Sequence, residues 1–171
     1  MTHIPDIPHL DANIRVVMLC GVSGSGKTTL AREFESRGWT RLSVDAIVNA
    51  RLGDTYRRMS AGERRDAYMH AGAELTGRLP GLLAEGACVV IDASMCRRAK
   101  RDAVRGICAR AGAGCALIYL TASRDELLLR LARRCGTGPD DQTVSPDELD
   151  GFLAGFEAPD PDENAYRISP E

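Results

Sequence analysis

A chain of 171 residues, 44% apolar and 27% charged, is sized for one domain with a real core and is unlike a disordered or fibrous polymer. Its formal charge of −2 gives no general attraction to polyanions, so a nucleic-acid or membrane contact would need a local basic patch. No apolar run approaches the roughly 20 residues of a membrane span, and the opening MTHIPDIPHLDANIR lacks the basic-then-apolar order of a signal peptide, so a cytoplasmic protein without a membrane partner is expected.

Residues 1–13 read as a loose arm, because Pro5 and Pro8 interrupt any periodicity, and residues 14–171 as a single domain. Ile14 to Leu19 is a β-branched apolar run closed by glycine, as in a buried parallel strand. A glycine-rich loop follows, then a helix from about Lys27 to Arg37, stopped by Gly38. Trp39 to Val44 predicts a second strand ending at Asp45. The capping box Ser60-Ala-Gly-Glu63 opens a long helix to about Leu79, which Pro80 and Gly81 should kink or break before Gly86 closes the segment. Ala87 to Ile91 is the clearest buried strand and ends in Asp92. Arg97 to Ala111 reads as a helix, Cys115 to Leu120 as a strand, and Ser123-Arg-Asp-Glu126 as a second capping box opening a helix through about Arg134. A glycine- and aspartate-rich loop reaches Val144, Ser145-Pro-Asp-Glu148 restarts a helix that Phe156 ends, and Ala165 to Ile168 forms a last edge strand. Alternating strands and helices imply a doubly wound parallel sheet with ligands at the strand C-termini. The six cysteines, Cys20, Cys88, Cys96, Cys108, Cys115 and Cys135, contain no C-x-x-C pair and read as buried thiols in a reducing compartment.

The glycine-rich loop, Gly21-Val-Ser-Gly-Ser-Gly-Lys-Thr28, fits G-x-x-x-x-G-K-[ST] at every fixed position and sits between a strand and a helix, as that motif requires. Its glycines let backbone N–H groups turn inward as a nest, and the helix start adds a positive dipole end, which together suit a polyphosphate. Gly21, Ser23, Gly24, Ser25, Gly26, Lys27, Thr28 and Thr29 are therefore nucleotide-binding candidates. Lys27 is expected to reach the β- and γ-phosphates, and Thr28 to ligate the Mg2+ of bound ATP. The guanine-reading N-K-x-D of GTPases is absent from the sequence, and large motor ATPases need a longer chain.

Three further groups decide between a kinase and a passive nucleotide binder. Asp45, at the predicted end of the second strand, can accept a proton from an acceptor hydroxyl, or can serve as N-cap of the helix starting at Ala46. Asp92 follows Cys-Val-Val-Ile and can support Mg2+ or orient substrate, or can be a strand-end turn residue. Arg130, Arg133 and Arg134 lie on the helix leading into the loop; Arg130 and Arg134 share a face and can neutralise charge on a transferring phosphoryl group, or form a solvated basic face. Arg97, Arg101 and Arg105 form an i, i+4, i+8 stripe, which reads either as a phosphate-holding surface or as the wet face of an amphipathic helix.

The segments GVSGSGKTTLAREFE, RLSVD, VVIDASMCRRAKRDAVR and LIYLTASRDELLLRLARR resemble small P-loop kinases of the AAA_33 group, whose relatives include polynucleotide 5′-hydroxyl kinases, zeta-toxin kinases and chloramphenicol phosphotransferase. The resemblance spans roughly residues 14–157. It implies a P-loop NTPase α/β fold with a five-stranded parallel sheet of order 2-3-1-4-5, helices on both sides and a helical lid at about residues 130–146. It also implies that Lys27 and Thr28 hold ATP and Mg2+, that Asp45 is the base, that Asp92 lies in the acceptor site and that Arg130 and Arg134 belong to the lid. Polynucleotide kinases tend to carry D-x-N where this chain has Asp92-Ala93-Ser94, which speaks against a nucleic-acid acceptor. The glycine loop also resembles that of gluconate kinases.

The resulting expectation is an ATP-dependent phosphotransferase acting on a hydroxyl of a small molecule, as a monomer or homodimer. Its catalytic residues are Lys27, Asp45 and Arg134, with Arg130 on the nucleotide. Asp45, Asp92 and Arg97 face the substrate, and Thr28 and Asp92 the metal. The alternatives are a polynucleotide 5′-hydroxyl kinase and a nucleotide-binding regulatory module.

Overall fold

The computed structural model describes residues 10–135 and 143–169. The sheet is built from β1 (Ile14–Cys20), β2 (Thr40–Ser43), β3 (Val89–Asp92), β4 (Gly114–Leu120) and β5 (Tyr166–Ile168). All four pairings are parallel and the spatial order is β2-β3-β1-β4-β5. Among the described residues six α-helices intervene: α1 (Lys27–Ser36), α2 (Val44–Leu52), α3 (Ala61–Ala84), α4 (Arg98–Arg110), α5 (Arg124–Ala132) and α6 (Pro146–Ala154). This is the expected P-loop kinase fold.

The central strand β1 shows why both faces must be covered. Its residues Val16 to Cys20 are all fully buried, and their side chains alternate between two cores, as the period of two demands. Val16, Met18 and Cys20 join Leu75, Leu79 and other residues on the side of α2, α3 and α4. Val17 and Leu19 join Leu30, Ala31 and Phe34 of α1 on the other side. A third, small cluster of Leu127, Leu131 and Leu149 holds α5 to α6 and packs against Val22 of the glycine loop. The chain's alternating pattern thus fixes the loop at the carboxyl end of β1, between the sheet and the α5–α6 pair.

Several boundaries differ from the sequence-based expectation. Helix α3 runs through Pro80 without a break. A mid-helix proline costs about 3 kcal/mol, but Leu75, Leu79 and Leu83 are all buried on one face of α3, and each such burial contributes about 1.5–3 kcal/mol. The tertiary term wins. The helix stops instead at Gly86 (φ 85°), where Ala87 N–H donates to Leu82 O and Gly86 N–H to Leu83 O, a Schellman closure that only a left-handed residue permits. The capping boxes expected at Ser60 and Ser123 form, and the helix restart expected at Ser145 proves to be capped by a third. Helix α5 ends at Ala132 rather than Arg134, its last turn tightened by an Arg134 N–H to Leu131 O bond.

The arm expected at residues 1–13 lies outside the described residues up to position 9. Leu10 packs against the α1-side core, and Asn13 O accepts from Gly114 N–H. The lid expected at about 130–146 is likewise outside at 136–142. Of the thiols, only Cys20 and Cys108 are buried; Cys88, Cys96 and Cys115 are half-buried and Cys135 is exposed, so the uniform reading of inert buried thiols is too broad. No helix among the described residues is long and apolar enough to cross a membrane.

Candidate active site

The loop between β1 and α1 is shaped by close approaches. A Cβ on Gly21 would fall 2.6 Å from Ser25 Oγ and 2.7 Å from the Leu120 carbonyl oxygen, so no other residue fits there. Gly21 N–H donates to Ser94 O (3.2 Å), tying the loop to the segment after β3. A Cβ on Gly24 would meet Leu131 at 3.2 Å and Leu127 at 3.4 Å, which shows how tightly α5 lies on the loop. Helix α1 begins at Lys27 behind a left-handed Gly26 with no side chain capping it. Its first-turn N–H groups and dipole therefore present a positive end to the loop, the arrangement that binds phosphate. Lys27 Nζ donates to Val22 O (2.8 Å), which holds the ammonium over the loop. Ser25 is fully buried with an unpartnered hydroxyl and so faces the interior, whereas Thr29 is exposed on the outer side of α1.

Thr28 and Asp92 meet at the base of the loop. The Thr28 hydroxyl donates to Asp92 Oδ1 (3.4 Å). Asp92 is 4% exposed, and a buried carboxylate needs a charged partner. Arg41 supplies it, with Nε (3.0 Å) and Nη2 (2.5 Å) both on Oδ2. Sequence reasoning missed Arg41. The signal was in the register: Ser43 pairs with Asp92, so Arg41, two residues earlier on the same face of β2, is its diagonal neighbour.

Asp45 does not end a strand. The strand stops at Ser43, which is extended and accepts from Ala46 N–H (3.2 Å), making Ser43 the N-cap of α2 and Asp45 a first-turn residue. The capping role considered for Asp45 therefore belongs to Ser43, and the α2 dipole favours the Asp45 anion. Its Oδ1 accepts a 2.6 Å hydrogen bond from the Tyr68 hydroxyl on α3, a partner that no motif announced. Burial, then the Asp45 charge, pushes the Tyr68 phenol well above its ordinary pKa, so it stays a donor.

Burial lowers the Lys27 pKa, the charges of Asp92 and Asp45 raise it in that order, and Arg134 lowers it again, so these three groups lie within electrostatic range of the Lys27 ammonium. Arg134 lies beyond α5, not on it as expected, yet its Nη1 reaches Ser23 Oγ (3.3 Å), and Arg130 Nη1 reaches Gly24 O (3.5 Å). Both stand over the glycine loop.

The α4 stripe behaves otherwise. Arg101 is fully buried, not on a wet face. Its Nε and Nη2 bind the two oxygens of Glu163 (2.7 and 2.6 Å), while Nη1 donates to Met95 O and Glu157 O (2.9 Å each). Arg105 reaches Glu163 Oε2 (2.9 Å) and Asp102 (2.8 Å). Arg97, expected at the substrate, is the N-terminal flank of α4 and pairs with Glu157 (2.8 Å).

Among the described residues no three His, Cys, Asp or Glu side chains form a metal cage. A hydroxyl and a carboxylate oxygen 3.4 Å apart, at Thr28 and Asp92, fit the hard, mostly water- and phosphate-coordinated Mg2+ of nucleotide sites.

The AAA_33 family model, an AAA domain, matches residues 16–159. Among solved structures, the chain is similar to a gluconokinase from Sinorhizobium meliloti 1021, at 23% identity and a TM-score of 0.60, covering 90% of this chain and 81% of that one. A sugar kinase from Janibacter sp. HTCC2649 gives 24% identity and a TM-score of 0.67, covering 91% and 85%. A chain of the Pnkp1/Rnl/Hen1 RNA repair complex gives 20% identity and a TM-score of 0.61, covering 83% of this chain and 43% of that one. Identities this low show a shared fold alone. No curated protein matches the chain.

Proposed function

The chain belongs to the AAA_33 family and has the fold of P-loop kinases, and on that premise we propose that it moves the γ-phosphoryl group of ATP to a hydroxyl of a small molecule. The observation that carries this reading is the glycine loop flanked by the Thr28–Asp92 pair below and by Arg130 and Arg134 above, with the Asp45 carboxylate within electrostatic range of Lys27. A passive nucleotide binder needs the loop and Lys27 but has no use for a carboxylate held ready on α2.

In this reading the loop N–H groups and the α1 N-terminus bind the phosphate chain, and Lys27 leaves the Val22 carbonyl for the β- and γ-phosphates. Thr28 and Asp92 would hold Mg2+, which would supply charge neutralisation at the phosphates. Arg41 keeps the Asp92 carboxylate oriented, with Oδ1 towards Thr28. Asp45 accepts the acceptor hydroxyl's proton as that oxygen bonds to the γ-phosphorus and the bond to the bridging β,γ-oxygen breaks, releasing ADP. Arg130 and Arg134 stabilise the charge on the transferring oxygens from above the loop.

Small-molecule acceptors are favoured over polynucleotide ends because Arg97, Arg101 and Arg105, the basic stripe that could have followed a phosphate backbone, are all engaged by carboxylates. The likeness to a chain of an RNA repair complex supports the second reading, a polynucleotide 5′-hydroxyl kinase. The test offers γ-labelled ATP with sugars, nucleosides, antibiotics and 5′-hydroxyl oligonucleotides. Label is expected on a compact acceptor and to collapse by at least ~10²-fold in Asp45→Asn, with Mg·ATP still raising the melting temperature. Since Ser43 is the cap, Asp45→Asn leaves α2 intact. Efficient labelling of oligonucleotide ends would promote the second reading, and ATP binding with no labelled acceptor would leave only a nucleotide-binding module.

A further inference from the structure

We infer that Tyr68 is a positioning residue for Asp45, fixing the plane of its carboxylate so that proton transfer from the acceptor hydroxyl occurs in one geometry. The inference rests on the phosphotransferase reading and names a residue on which that reading does not depend.

The bond from the Tyr68 hydroxyl to Asp45 Oδ1, at 2.6 Å, has the length of a charge-assisted O–H···O⁻ contact. It joins two different helices, α2 and α3, that pack on one another in the sheet's α2–α4 core. Tyr68 packs against this core. The ring is held edge-to-face by Tyr56, whose centroid is 6.0 Å away, and the Arg64 guanidinium, one turn before Tyr68 on α3, lies 5.1 Å over the Tyr56 ring. The phenol is therefore anchored on its own side. An aspartate has two side-chain torsions, and only some settings aim an oxygen at an incoming hydroxyl. A donor fixed at Oδ1 selects among those settings, and general-base efficiency depends on such alignment. The same bond stabilises the anion over the acid, as does the Lys27 charge across the site. The variant below removes the Tyr68 donor and leaves the Lys27 charge in place.

Tyr68→Phe removes the donor and keeps the ring. With the best acceptor found, kcat is expected to fall about tenfold, with KM for ATP unchanged. The acid limb of the kcat profile should move to higher pH, because the carboxylate loses a donor to its charged form. Placed on Asp45→Asn, Tyr68→Phe should bring little further loss, as expected of two residues acting as a unit. A packing role alone would lower the melting temperature and leave the pH profile in place. If Tyr68→Phe does not fold, Tyr68→Gln and Tyr68→Leu replace it: the amide keeps a donor and should retain the higher kcat. A wild-type kcat and unmoved acid limb in Tyr68→Phe, or equal rates in the Gln and Leu variants, overturn the inference while wild-type transfer stands. A wild-type protein that phosphorylates no acceptor overturns the phosphotransferase reading itself, and the inference with it.

Discussion

Arginines recur at four-residue spacing along α4 and across the end of α5, and the two sets do opposite things. On α4 the arginines meet carboxylates: Arg97 on Glu157, Arg98 on Asp160 and Asp162, Arg101 and Arg105 on Glu163. They bind the segment 157–163, which leads into edge strand β5, to the loop after β3 through Met95 and Cys96. Next to α5 the guanidinium groups of Arg130 and Arg134 touch the glycine loop instead. The difference lies in what each helix packs against. An acidic segment some sixty residues downstream matches the first set, and the Gly24 carbonyl and Ser23 hydroxyl of the glycine loop receive the second. Identical spacing thus produces a structural clasp in one place and a pair of guanidinium groups against the glycine loop in the other.

The largest expected effect breaks the clasp. Arg101→Ala leaves Glu163 buried without its bidentate partner, and removing one member of a buried pair costs about 3–5 kcal/mol. A large fall in melting temperature is expected, with transfer lost only to the extent that the protein unfolds. Arg101 is therefore unsuited to testing ligand binding, since any loss would report on folding. A melting temperature within a degree or two of wild type would mean that the pair contributes little.

The second effect belongs to the loop-facing set. Arg134→Ala should leave the melting temperature near wild type and lower transfer by roughly 10²-fold, the scale of one preorganised charge donor. Arg134→Lys keeps the charge and loses the planar fork, so it should recover only part of the rate. Wild-type rates in both would remove Arg134 from the mechanism and make the two arginine sets alike after all.

How much of this was legible follows from the range of each interaction. The three capping boxes close over three residues, so Ser60, Ser123 and Ser145 announced their helices correctly. Strand β1 and the glycine loop were legible because an apolar run, a nest and a helix start are contiguous. The strand order came with the family resemblance, not with the periodicity. What failed was either a contest between local and tertiary terms, as at Pro80, or a pairing across the fold. Arg41 with Asp92, Tyr68 with Asp45 and Arg101 with Glu163 are separated by 51, 23 and 62 residues. Nothing local distinguishes a buried arginine from a wet one. The available signal was global: Glu157, Asp160, Asp162 and Glu163 form an acidic run whose spacing could have been matched to the α4 stripe.

The third effect is a pH dependence confined to the clasp. The Arg101 guanidinium holds the Glu163 carboxyl at about 2, against an ordinary value of 4.5. A carboxylate whose folded pKa is depressed contributes stability that is fully present above the unfolded value and is lost as pH falls through the folded one. Acid unfolding of the wild type should therefore draw on this pair between about pH 4.5 and 2, and the slope of stability against pH in that window should flatten in Glu163→Gln. An unchanged slope would assign the acid sensitivity to other carboxylates.

The smallest effect is expected at Arg97, and it sharpens the contrast because Arg97 is the member of the α4 stripe closest in sequence to Asp92. Its side chain is 55% exposed and its partner Glu157 46%, and exposed pairs of this kind contribute little because solvent screens them and two long side chains must be ordered. Arg97→Ala should therefore shift the melting temperature only slightly. If the stripe is a clasp, the variant also leaves acceptor KM and oligonucleotide binding unchanged at low salt. If it touches phosphates, losing one contact flattens the dependence of binding on salt by about 1 in the log–log slope. Titrating wild type and Arg97→Ala with a 5′-hydroxyl oligonucleotide from low to moderate salt separates the two. A salt-steep wild-type curve that flattens in the variant would move Arg97 to the acceptor site, and would restore the polynucleotide reading that the carboxylates around α4 now disfavour.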